Sequence, residues 1–234
     1  MLLTVIAALL VFNFLDRPVR QTAGQQPALI QQQTNSPHAT IVAEIEEEAG
    51  VNLSRLASHI IADEGIRTSP YLDSTRNVTI GVGRNLTGHG ITKLELKSIV
   101  PNVNWELVVE HTHVRNQQIL IDSLSAANDI FTKKLSRHDV ALLLISDLKD
   151  ARTTASSFFP DVWERIGATR QEVVTSLVFQ LGSGGFAGFH HFIAAVKAED
   201  WVTASNELLL SKAARQAPAR FHRMATEIRT GGRR

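Results

Sequence analysis

Between residues 52 and 83 the hydrophobic period of this chain switches from that of a helix to that of a strand, with glycines on both sides of the switch. Leu53, Leu56, Ile60 and Ile61 fall on one helical face, with Asn52 as N-cap and Gly65 just past the end. Tyr71–Asp73 and Val78–Val82 then read as two short strands joined by the polar turn Ser74–Asn77. On the second strand Val78, Ile80 and Val82 point one way. Thr79, Gly81 and Gly83 point the other, leaving an open face where a bulky ligand approaches the backbone.

Everything after this hairpin reads as helix. Ser136-x-x-Asp139 and Thr169-x-x-Glu172 resemble capping boxes. They introduce helices with buried faces of Val140, Leu143, Leu144 and Leu148, then of Val173, Leu177 and Leu181. Gly182-Ser-Gly-Gly185 is a hinge or tight turn, since no Gly-Lys-Ser/Thr follows to make a phosphate loop. Asp200 or Thr203 opens a helix carrying Trp201 and Leu208. Pro218 starts a last helix with Phe221, Met224 and Ile228, closed by Gly231. Residues 88–134 also read as helical, without a chemical motif. The fold class is therefore α+β, mostly α.

The chemistry lies at the switch. Glu64 falls in the last turn of the first helix, where the helix dipole disfavours negative charge. Asp73 ends the first strand, and Thr79 lies on the second. Two carboxyl groups on different elements are what acid/base hydrolysis of a glycosidic bond needs. One protonates the leaving oxygen, while the other stays ionised to activate water or balance charge on the sugar. Taken singly, each is an ordinary surface or turn residue. Together with Thr79 and the glycines, they form a candidate catalytic set.

Met1–Leu15 is an uncharged apolar run, stopped by Asp16, Arg17 and Pro18. It falls short of the roughly 20 residues that cross a bilayer, and it lacks the basic start and cleavage site of a signal peptide. The run is read as a membrane anchor, a signal-arrest segment, or a peptide buried against a partner such as a virion protein. Residues 16–40, rich in glutamine and interrupted by Pro27 and Pro37, form a tether. Glu44 and Glu46–Glu48 make a solvated first helical turn, and residues 41–234 form the catalytic domain. A formal net charge of +1 gives no field for nucleic acid, and the lack of cysteine excludes disulfides and thiol catalysis. The pairs His111/His113 and His190/His191 have neither cysteines nor an HExxH pattern beside them, so no metal or other cofactor is expected.

The order Glu64-x8-Asp73-x5-Thr79, with Thr79-Ile-Gly-Val-Gly83 and Leu86-Thr87, resembles the phage-type lysozymes of glycoside hydrolase family 24. Two later blocks agree. One is Val178-Phe-Gln-Leu-Gly182 with Ala187-Gly-Phe189 and Trp201; the other is Gln216-Ala-Pro-Ala-Arg220 with Ile228-Arg-Thr-Gly231. The resemblance runs from about residue 53 to 231. It implies two lobes, a small hairpin lobe and a larger helical one, with a cleft between them. It also implies muramidase activity on the β-1,4 bond between N-acetylmuramic acid and N-acetylglucosamine, with inversion. On this resemblance Glu64 matches the general acid, and Asp73 and Thr79 match the pair that positions the attacking water. Phe179 and Gln180 match cleft positions, Gly81 lies on the strand face towards the sugar, and Arg220 matches a basic residue paired with the acid.

Three features depart from the family pattern. Arg84 stands where the family usually has a histidine in a salt bridge, Ala213-Ala214 replaces an aromatic pair, and the 88–134 segment is longer than usual. The implied partner is bacterial peptidoglycan. Two settings suit the N-terminus: a signal-arrest endolysin at the host inner membrane and periplasm, and a virion-associated lysozyme used in entry. The alternative from another class is a catalytically idle wall-binding or structural virion component.

Overall fold

The computed structural model describes residues 36–73, 78–86, 97–98 and 134–232. Met1–Leu15, most of the tether, the Ser74–Asn77 turn and nearly all of 88–134 lie outside these residues, so the expectations placed on them are not addressed.

The first helix, α1, spans Pro37–Ala49, and so takes in the last residues of the stretch read as tether. Ser36 caps it, its Oγ accepting the Ala39 N–H at 3.1 Å, and Pro37 supplies a preset φ in the first turn. Ile41 and Ile45, one turn apart, are fully buried. The acidic run therefore falls in the middle and last turns of α1 rather than the first. Glu46, Glu47 and Glu48 are exposed, whereas Glu44 is half-buried with Oε2 3.4 Å from His138 Nδ1.

Helix α2 (Val51–Glu64) follows directly. Its N-cap is Gly50, which makes no side-chain cap bond, so Asn52 sits inside the helix instead of capping it. Gly65, at φ 74°, ends α2 with its N–H on the Ile61 carbonyl at 2.8 Å. A left-handed φ costs glycine nothing, which lets the chain leave the helix at once for a strand.

The sheet is antiparallel in the order β1 (Arg67–Leu72), β2 (Val78–Gly81), β3 (Arg84–Asn85). Strand β1 is longer than the spacing predicts, and β3 is a third strand that the alternation does not reveal. The β1–β2 register pairs Arg67 with Gly81 and Tyr71 with Thr79, and shifts in between. Pro70, which has no N–H to give a ladder, falls in that interval. The Leu135 N–H donates to the Thr68 carbonyl at 2.8 Å, tying β1 to the chain just before the next helix.

Helix α3 (Arg137–Ser157) opens with the predicted capping box: Asp139 N–H to Ser136 Oγ at 3.1 Å, and Ser136 N–H to Asp139 Oδ2 at 2.8 Å. Its 21 residues make a rod about 30 Å long. That length lets it serve two cores. Val140, Leu143, Leu144 and Leu148 pack with Ile41, Ile45, Leu56, Ile60, Ile80 and Val82. Ala151 and Ala155 pack with Phe159, Phe186, Phe192, Phe221 and Met224. Each fully buried phenylalanine contributes about 1.5–3 kcal/mol relative to exposure.

The second core is closed by α4 (Ala168–Ala187), α5 (His190–Lys197), α6 (Trp201–Leu210), α7 (Lys212–Gln216) and α8 (Pro218–Thr230). Helix α4 lacks the expected capping box. Its N-cap is Gly167, and Glu172 is instead drawn into a pair with Arg55 of α2. A charge-assisted fork outweighs a local cap. The helical path of α4 breaks at Gly182 (φ 66°, ψ 169°), the predicted hinge. Asp200 caps α6, accepting the Thr203 N–H at 3.0 Å, and Gly231 closes α8 in the left-handed conformation. Among the described residues the structure is mostly helical with a small antiparallel sheet, compatible with the α+β reading.

Candidate active site

Glu64 is placed by two local signals, the apolar face that seats α2 and the glycine that ends it. Its side chain is 30% exposed, and Oε1 accepts a hydrogen bond from Arg220 Nη1 at 2.9 Å. The other oxygen faces the β2–β3 turn. A Cβ built on Gly83 would stand 3.8 Å from Glu64 Cγ and 4.0 Å from Oε2. Gly83 has φ 76°, a conformation that strains any residue with a side chain, so position 83 puts no side chain beside the carboxyl.

Tyr71 links this carboxyl to the sheet. Burial raises its hydroxyl pKa above the usual phenol value, and the negative charges of Glu64 and Asp73 push it the same way, against Arg67. Both carboxylates therefore act on one phenol. The Arg67 guanidinium carbon lies 5.4 Å from the Tyr71 ring centroid. Thr79 is the cross-strand partner of Tyr71, so the two side chains share a face of the sheet.

That face is not open along its length. Thr79 is only 2% exposed, and Gly81 is buried with Leu143 Cδ1 of α3 about where a side chain would meet it, at 4.0 Å. Neighbouring strands flank Thr79 on both sides, and α3 covers Gly81; alternation along one strand carries no information about either. Gly83, half-buried beside Glu64, is the glycine that faces the acid.

Phe179 and Gln180 stand apart on α4. Phe179 is half-buried and packs against both cores. Gln180 donates to Ser176 Oγ at 3.3 Å rather than to any residue around Glu64. Arg84 is buried and donates through Nη1 to Asp147 Oδ1 of α3, so the salt bridge implied at this position has a partner. Ala214 is buried in the second core, and Ala213 packs against it.

Sequence reading missed the groups that hold Arg220. Arg220 Nε lies 3.2 Å from Asp63 Oδ2, and Arg223 grips the same carboxylate through Nη2 at 2.6 Å and Nη1 at 3.3 Å. The available signals were slight: two arginines three apart on an amphipathic helix, and an aspartate next to the candidate acid. Tyr71 lies two residues before Asp73, on the same strand face as Asp73 by alternation.

Among the described residues no group of three His, Asp or Glu side chains is arranged to hold a metal ion. Among the described residues, concavities away from the acid include one of about 480 Å³ beside Phe189, His191 and Leu210 and one of about 660 Å³ beside Arg55, His59 and Glu227. Neither is lined by Glu64, Asp73 or Thr79. No helix of the described residues is long and apolar enough to cross a membrane.

Comparison with known proteins agrees in kind. No family model matches the chain. It is 25% identical over 180 residues to probable T4-type lysozyme 2 of Dictyostelium discoideum, covering 76% of this chain and 96% of that protein. Probable T4-type lysozyme 1 of the same organism is 25% identical over 169 residues, 72% of this chain and 90% of that one. The pre-baseplate central spike protein Gp5 of Enterobacteria phage T4 is 25% identical over 198 residues, 84% of this chain but 31% of the spike protein. Over most of its length, then, the chain is similar to proteins named as T4-type lysozymes and to part of a phage spike.

Proposed function

We propose that this chain is a muramidase that cuts the β-1,4 bond between N-acetylmuramic acid and N-acetylglucosamine in bacterial peptidoglycan. Glu64 protonates the leaving oxygen, and Asp73 with Thr79 holds the attacking water. The observation that carries this reading is the state of Glu64: one oxygen held by Arg220, the other beside a glycine with no side chain. The charges of Glu64 and Asp73 both raise the Tyr71 hydroxyl pKa, which supports putting the two carboxylates in one acid/base site. Arg220 lies within the site as the acid's partner. Phe179 and Gln180 belong further along the sugar-binding surface, whereas Gly81 is closed off from it by Leu143. The names of the two Dictyostelium relatives support the activity, and that of the phage spike protein supports a virion-associated setting in which the enzyme opens the wall during entry. Release from a membrane as a signal-arrest endolysin rests on residues 1–15 alone.

The test is Glu64→Gln in the full-length chain, assayed by clearing of peptidoglycan suspensions and release of reducing ends. Loss of a general acid costs about 10²- to 10⁴-fold in rate. The fold should persist, because Arg220 keeps Asp63 and the glutamine oxygen still accepts from it. Wild-type turnover by this variant removes Glu64 from the mechanism. Sacculus binding by the wild-type chain without release of reducing sugar favours the idle wall-binding component instead.

A further inference from the structure

Four side chains from two helices form a relay of alternating charge that ends on the candidate acid: Arg223, Asp63, Arg220, Glu64. Asp63 and Glu64 are consecutive on α2, so their side chains leave the helix about 100° apart. Arg220 bridges this divergence. Its Nε side faces Asp63 at 3.2 Å, and its Nη1 gives one hydrogen bond to Glu64 at 2.9 Å. Arg223, one helical turn further along α8, holds both oxygens of Asp63. Asp63 and Arg220 are the more buried pair, at 11% and 16% side-chain exposure, so the guanidinium has little room to swing.

The arrangement matters because an arginine paired with a single carboxylate frequently adopts the two-bond fork, which engages both oxygens. A fork on Glu64 would occupy Oε2, the oxygen that faces Gly83. We propose that Asp63 is a positioning residue that holds Arg220 sideways, so that only Oε1 of Glu64 is engaged and Oε2 is left to carry the proton. On the muramidase reading, on which this inference rests, that proton passes from Oε2 to the leaving glycosidic oxygen as the bond to the sugar breaks. Glu64 is left as a carboxylate facing Arg220. Asp63 acts through Arg220.

The experiment uses full-length protein and dye-labelled, purified peptidoglycan. It compares Asp63→Asn, Asp63→Glu, Arg220→Gln and the double variant Asp63→Asn/Arg220→Gln over pH 4–9. Thermal melts confirm folding, and Asp63→Ser replaces Asp63→Asn should that variant fail to fold. With Asp63 neutral, Arg220 forks onto Glu64 and holds it charged, so the alkaline limb of the rate profile moves down by about one pH unit. The rate constant at neutral pH then falls about tenfold, with KM within about twofold of wild type. Asp63→Glu returns the charge and moves the limb back up. In the Arg220→Gln background Asp63→Asn moves the limb no further, because the guanidinium through which it acts is gone.

An unmoved limb in Asp63→Asn, with Glu64→Gln inactive, overturns the positioning role and leaves the muramidase reading standing. Losses that multiply in the double variant overturn it too, since they mark a structural role. An inert wild-type chain, or an active Glu64→Gln, removes the functional reading and the role of Asp63 with it.

Discussion

Arg55→Met tests how the helix that carries Glu64 is anchored. Arg55 Nε and Nη2 grip the Glu172 carboxylate at distances from 2.6 to 3.1 Å, joining α2 to α4. This contact raises the Arg55 pKa above its ordinary value, through the hydrogen bond first and then the charge of Glu172, against the opposing effect of desolvation. The pair is lopsided: the arginine side chain is 48% exposed and the glutamate 7%. A fully exposed pair contributes about 0–1 kcal/mol, and stripping the partner from a fully buried charge costs about 3–5. A buried carboxylate with a half-solvated partner falls between, at about 2 kcal/mol, a drop of about 4–8 °C in melting temperature for a domain of this size. Glu172 would also be stranded near Glu227, which already feels its charge.

Urea unfolding at pH 7 measures the loss. The double variant Arg55→Met/Glu172→Gln should recover most of it, because no charge is then left buried alone. Turnover per folded molecule should be unchanged, since nine residues of helix put Arg55 about 14 Å along α2 from Glu64. A loss below about 0.5 kcal/mol, or equal losses in the single and double variants, would show that Glu172 does not depend on Arg55 and refute this reasoning.

Two further predictions concern Glu227 and Gly83. Burial holds the half-buried Glu227 carboxyl above its ordinary pKa, with His59 and Arg223 acting in the opposite direction. The native state therefore keeps this proton to a higher pH than the unfolded chain does, and stability falls as pH rises from the ordinary glutamate value through the raised one. Glu227→Gln should be more stable than wild type at pH 7 and equal to it near pH 4, by urea unfolding at both; a variant less stable at pH 7 contradicts this. Gly83→Val places a β-branched residue at φ 76° and drives its methyls towards Glu64, whose Cγ is 3.8 Å from the new Cβ. Turnover on peptidoglycan should fall at least tenfold, and less in Gly83→Ala, whose Cβ makes ordinary contact; equal activity in both would detach the β2–β3 turn from the site.

The parts of this protein that were legible in the sequence are those set by interactions between residues close along the chain. The helical period of Leu53, Leu56, Ile60 and Ile61, with Gly65 after it, places Glu64 at a helix end, and the structure has it there. The Ser136–Asp139 capping box, the hinge at Gly182, Asp200 as a cap and the Pro218-to-Gly231 helix were readable for the same reason. Even local signals failed where a distant group competed. Thr169-x-x-Glu172 is a good capping box on paper, but Arg55, 117 residues away, takes the carboxylate. The alternation through Thr79 predicts an open face, but the β1 and β3 neighbours and α3 close it around Thr79 and Gly81. The two-residue strand β3 is too short to have a period at all.

What the sequence alone determined is the helix-to-strand switch, the order of acid, aspartate and threonine along it, and the mostly helical class, because propensity, capping and hydrophobic period act over one or two turns. Tertiary structure decided the rest. The Arg220–Glu64 and Arg223–Asp63 contacts join residues 156 and 160 positions apart. Which oxygen of Glu64 is held, and which is left beside Gly83, depends on how α8 docks on α2. Docking is settled by burial of whole helix faces, a sum over many side chains that no short stretch of sequence contains.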